Sequence, residues 1–97
     1  MKKAYWLVRA DVTDANKFSA YAANVPGVLE AFGGQFLVRG GKSTLVEGST
    51  RTGNTVVEFP SHQSALDCWH SEAYQAVKKL RLGAAELDIV IVEALDT

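Results

Sequence analysis

Phe36 to Thr44 reads FLVRGGKST, and the reading of this stretch decides the fold. Its last five residues, GGKST, are those that close a phosphate-binding loop. Such a loop sits between a strand and a helix and needs the pattern G-x-x-x-x-G-K-[ST]. The first glycine should stand at residue 36, where the chain has Phe36. The residues that follow, TLVEG (44–48), have strand character, so no helix N-terminus is offered to a phosphate. Nucleotide binding through this segment is rejected. Gln35–Arg39 (QFLVR) reads instead as a strand, Gly40–Gly41 as a bulge or bend, with the strand resuming over Thr44–Glu47.

On the N-terminal side, Lys3–Val12 (KAYWLVRADV) is rich in aromatic and β-branched residues and predicts a strand. Thr13 is placed to cap a helix, with Asp14 in its first turn. Phe18, Ala22, Val25, Leu29 and Phe32 recur at helical spacing. Pro26 lies inside that pattern and predicts a kink or split near Asn24–Val25. Gly33 and Gly34 end the helix.

On the C-terminal side, Gly48–Asn54 predicts a turn and Thr55–Phe59 (TVVEF) a strand ended by Pro60. Ser61 caps a helix over His62–Trp69. Ser71 caps a second helical piece reaching about Arg81, and Leu87–Ala94 is the last strand. The order β-α-β-β-α-β predicts an α+β, ferredoxin-like fold: a four-stranded antiparallel sheet with both helices on one face. We expect a single domain over 1–97.

Strand residues alternate between faces. Trp6, Val8, Ala10, Phe36, Val38, Val57, Phe59, Val90 and Val92 form a wholly apolar set, assigned here to the helix-covered face. Tyr5, Leu7, Arg9, Leu37, Arg39, Val56, Glu58, Ile89, Ile91 and Glu93 form the other, with no helix left to cover it. So much uncovered apolar surface predicts a second copy packed sheet to sheet, a homodimer through the open face. Arg9, Arg39, Glu58 and Glu93 would then line or rim a space between the sheets, paired as Arg–Glu.

Composition excludes several classes. The 97 residues carry 47% hydrophobic residues and a net charge of -1. Without a basic excess, nucleic acid is not an expected partner. No 18-residue apolar run suggests a membrane span. The apolar part of MKKAYWLVRADV is broken by Arg9 and Asp11, unlike a secretory signal. Cys68 is the single cysteine, and a cytoplasmic location is expected.

Taken together, Tyr5-Trp6, DVTD (11–14), FLVRGG (36–41), Glu47-Gly48, VVEFPS (56–61), Ser71-x-x-Tyr74-Gln75 and DIVIVE (88–93) resemble the domain of unknown function 1330 family, within the dimeric α/β barrel superfamily. The resemblance spans essentially the whole chain. The family's usual SPEYQ stands here as SEAYQ (71–75): Glu72 replaces the proline and Ala73 the glutamate, while Ser71 and Tyr74 remain. The resemblance implies a ferredoxin-like homodimer. It implies no particular reaction; the wider superfamily holds oxygenases, isomerases, haem-dependent enzymes and non-catalytic domains.

Five residues are candidates for ligand binding. Arg39 has a planar fork suited to a carboxylate, or to a structural pair with Glu58 or Glu47. Glu58 is a general base if desolvated, or a partner for an arginine. Arg9 carries the same two readings. The Tyr21 and Tyr74 hydroxyls either reach a pocket or pack at helix edges. His62 and His70 complete no metal site, and Cys68 reads as a core residue. No metal and no cofactor is expected, and no catalytic residue is assigned. The favoured function is binding of a small acidic or aromatic ligand in a pocket on the sheet–sheet side. The alternatives are a cofactor-independent oxygenase- or isomerase-like enzyme and a purely structural dimer.

Overall fold

The structure, a computed structural model, describes residues 2–95. It contains β1 (Ala4–Val12), α1 (Ala15–Ala31), β2 (Gln35–Arg39), β3 (Gly53–Phe59), α2 (His62–His70), α3 (Glu72–Lys78), a 3-10 turn (Lys79–Arg81) and β4 (Ala85–Glu93). The four strands form one antiparallel sheet in the order β2-β3-β1-β4, with the helices on one face. This is the ferredoxin-like α+β arrangement expected from the chain. No helix among the described residues is long and apolar enough to cross a membrane.

Local chemistry sets the helix ends. Asp14, rather than Thr13, caps α1, its carboxylate accepting from Lys17 N. Thr13 instead donates its hydroxyl to Ala84 O, tying the start of α1 to the start of β4. At the far end Gly33 adopts φ 80°, and Gly33 N and Gly34 N bond back to Glu30 O and Leu29 O. That pattern closes a helix by satisfying its last carbonyls. Ser61 and Ser71 cap α2 and α3 as expected.

Two assignments of side chains to faces are corrected by the strand register. Ile91 lies opposite Trp6 and Ile89 opposite Val8, so both isoleucines pack against the core. Val90 and Val92 are the uncovered pair, 55% and 41% exposed. Every central residue of LDIVIV except Asp88 is apolar, so alternation along β4 carries no sign of its own; pairing with β1 supplies it. In β2 the register shifts between Phe36 and Val38, a bulge that holds Leu37. The bulge inverts the alternation beyond it. Val38 turns outward, and Arg39 comes to the helix side, paired with Thr55 instead of lying beside Glu58.

Trp6 is the centre of the core. Its ring meets Phe59, Tyr74 and Trp69 at centroid distances of 5.3, 5.1 and 6.1 Å. Its indole N–H donates to Ala65 O at 3.1 Å, joining β1 to α2. The segment 40–52 between β2 and β3 forms no strand, so the expected continuation over Thr44–Glu47 is not realised. It is anchored at its end instead. Arg51 donates to Asp11, Glu86 and Asp88 at 3.0, 3.1 and 2.9 Å, while Thr52 N–H and its hydroxyl reach Asp11 at 3.0 and 3.2 Å.

Candidate functional site

A cavity of ≈ 240 Å³ opens between the sheet and α1. Trp6, Val8, Val57 and Phe36 form its sheet wall, and Phe18, Tyr21, Val25 and Leu29 its helix wall. Arg39 and Gly40, both exposed, stand at its mouth. An apolar cavity of about 150 Å³ accepts benzene, so this one has room for a substituted aromatic ring.

The β2 bulge brings Arg39 to this side, and an unusual feature of α1 holds it there. Of the kink or split expected at Pro26, the split does not occur: the helix runs as one element from Ala15 to Ala31. A proline in a helix has no N–H for the carbonyl four residues earlier, which here is Ala22 O. The Arg39 Nη2 donates to that carbonyl at 2.7 Å and takes the missing donor's place. The guanidinium also lies over the Phe36 ring, 4.4 Å from its centroid. No carboxylate pairs with Arg39 among the described residues. The Arg39–Glu58 and Arg39–Glu47 pairs are therefore absent, and the fork keeps donors for an anion.

Tyr21 and Tyr74 meet rather than flank helix edges. Both are buried, and their hydroxyls lie 2.8 Å apart. Arg81 Nη2 donates to the Tyr74 oxygen at 3.3 Å, and the guanidinium stacks on the Tyr21 ring at 5.2 Å. Burial holds the Tyr21 hydroxyl protonated well above the ordinary tyrosine range. Sequence reasoning missed Arg81. Its position at the end of a helical piece reads as a solvent-facing cation, and only the fold of the 3-10 turn brings it inward.

Glu58 and Arg9 lie on the opposite face. Glu58 pairs with Lys3 at 3.2 Å and accepts from Gln35 at 3.4 Å. Arg9 lies across from Asn54 and Asp88 and lines a second, more open depression of ≈ 590 Å³ under the 43–52 segment. The five sequence candidates thus divide: Arg39 and Tyr21 share the helix-side cavity, Tyr74 backs it, and Glu58 and Arg9 belong to the open face. Burial pushes the Cys68 thiol up to about 12, which suits a core residue and not a nucleophile. No group of three His, Cys, Asp or Glu residues able to hold a metal occurs among the described residues.

The sequence profile of the domain of unknown function family DUF1330 matches residues 3–95. The chain belongs to this family. No curated protein matches the sequence. Among solved structures the DUF1330 chain is similar to RPA0582 of Rhodopseudomonas palustris, a protein of unknown function, with a TM-score of 0.76 at 17% identity over 99% of this chain and 85% of that one. It is also similar to SnoaB of Streptomyces nogalater, a cofactor-independent oxygenase, with a TM-score of 0.67 at 12% identity over 100% and 97% of the two chains. A Bacteroides thetaiotaomicron protein described as a possible oxidoreductase gives 0.56 at 12% identity, over 96% and 98%. At these identities the likeness is one of fold.

Proposed function

We propose that this DUF1330 protein binds a small aromatic carboxylate in the cavity between sheet and α1, within a homodimer formed through the open sheet face. One observation carries the ligand reading: an apolar cavity of ≈ 240 Å³ has at its mouth a guanidinium with no carboxylate partner among the described residues. The ring would lie among Phe18, Val25 and Phe36, and the carboxylate would take the remaining Arg39 donors. Exposed Leu37, Val38, Val90 and Val92 support the dimer.

A thermal-shift screen of aromatic acids tests the ligand reading. At a hundred times its dissociation constant, a ligand stabilises the fold by about 2.7 kcal/mol. Arg39→Met should abolish that shift. Because Arg39 also holds the Ala22 carbonyl, the comparison is repeated with Pro26→Ala, where residue 26 supplies its own N–H. Shifts that survive Arg39→Met in both backgrounds would reject the assigned site. No shift with any acid would favour the purely structural dimer.

A second reading, cofactor-independent oxygenase or isomerase chemistry, has one observation in its favour: the paired Tyr21 and Tyr74 hydroxyls beside the cavity. These tyrosines would then manage protons, since Glu58 lies on the other face. Oxygen uptake with a bound phenolic acid for the oxygenase case, or its isomerisation without oxygen uptake for the other, lost in Tyr21→Phe, is the outcome that reading requires.

A further inference from the structure

Arg81 is a buried charge to which nothing above gives a task. It is 7% exposed, and among the described residues no carboxylate lies within 4.0 Å of it and no hydrogen-bond partner meets its Nε. A buried guanidinium without a counter-ion is costly. What it does contact is the tyrosine pair.

The direction of the hydrogen bonds follows from donor and acceptor inventory. A guanidinium only donates, so the Tyr74 oxygen accepts from Arg81. Tyr74 is fully buried, and its hydroxyl's only other partner among the described residues is Tyr21. Were Tyr21 the donor, the Tyr74 proton would be buried without an acceptor. Tyr74 therefore donates to Tyr21, and the dipoles all run away from the cation, each bond strengthening the next. The Tyr21 proton is then left with no acceptor among the described residues, but Tyr21, unlike Tyr74, is a wall residue of the cavity, where water or a ligand can accept it.

We propose that Arg81 and Tyr74 make Tyr21 a polarised O–H donor to the cavity's occupant, so that the ligand carries a carbonyl or phenolate oxygen in addition to the carboxylate at Arg39. This rests on the ligand reading of the preceding subsection. Tyr21 touches the ligand; Tyr74 and Arg81 are positioning residues that act through it.

The probes are 4-acetylbenzoate and 4-isopropylbenzoate, similar in shape but differing in the distal acceptor, with dissociation constants measured by calorimetry. Wild type should prefer 4-acetylbenzoate by about tenfold. Tyr21→Phe should bring the two within about twofold while still binding 4-isopropylbenzoate. Arg81→Met should cut the preference by up to about twofold, a ratio that a loss of packing alone would not move. Should that variant fail to fold, Tyr74→Phe interrupts the same chain at its middle and should act alike. Equal binding by wild type, or a preference that survives Tyr21→Phe, overturns this proposal and leaves the ligand reading standing. A preference lost in Tyr21→Phe but intact in both Tyr74→Phe and a folded Arg81→Met removes the chain's role and overturns it too. Binding of neither acid to wild type overturns the ligand reading and this proposal with it.

Discussion

At the scale of single residues, burial decides chemistry more than residue type does. Tyr21, Tyr74 and Arg81 are all common at surfaces, yet here they share one buried cluster against Trp6 and Phe18. The raised pKa of Tyr21 has a consequence for stability. Burial is the main cause, so the charged form is disfavoured in the folded state alone. The stabilisation is full below the unfolded value of 10.0 and is lost as pH rises above it. Denaturant midpoints should therefore fall more steeply above pH 10 for wild type than for Tyr21→Phe. Parallel alkaline limbs for the two proteins would contradict the assignment.

At the scale of elements, α1 and β2 are joined by a repair. Pro26 leaves Ala22 O without its helical donor, and Arg39, carried to the helix side by the bulge at Leu37, supplies one. The two residues should be energetically coupled. Arg39→Met should cost about 1 kcal/mol in wild type and close to nothing after Pro26→Ala, the difference being the bond itself. Urea denaturation of the two single variants and the double variant gives the coupling directly. An Arg39→Met cost that is the same in both backgrounds would show that the carbonyl is not what Arg39 stabilises.

At the scale of the whole molecule, the sheet has one covered face and one bare one. The molecule is 17 Å thick along its shortest axis against 38 and 36 Å along the others, a two-layer slab. The bare face carries exposed Leu37, Val38, Val90 and Val92 and half-buried Leu7 and Val56, with Glu58, Arg9 and the Arg51 ion cluster around them. Sedimentation equilibrium at micromolar concentration should give a dimer, and Val90→Glu should give a folded monomer. A wild-type monomer would leave that apolar face without a reason.

Much of this was legible in the chain. The punctuation by Pro60, Ser61, Ser71 and the Gly33-Gly34 pair marked the elements to within a few residues, because caps and left-handed turns are local chemistry. The failed glycine count at Phe36 removed the nucleotide-binding reading for the same reason. Arg39 and the tyrosines were visible as candidates from their residue types, but not where they would meet. A strand whose two faces are both apolar, such as β4, cannot announce which face is inward; its partner's register decides. A one-residue bulge moves Arg39 across the sheet, and only a folded 3-10 turn buries Arg81. Sequence by itself determined the order and kind of the elements. Long-range pairing, which no local window contains, decided on which side of the sheet the charged residues lie and so where a ligand site can be.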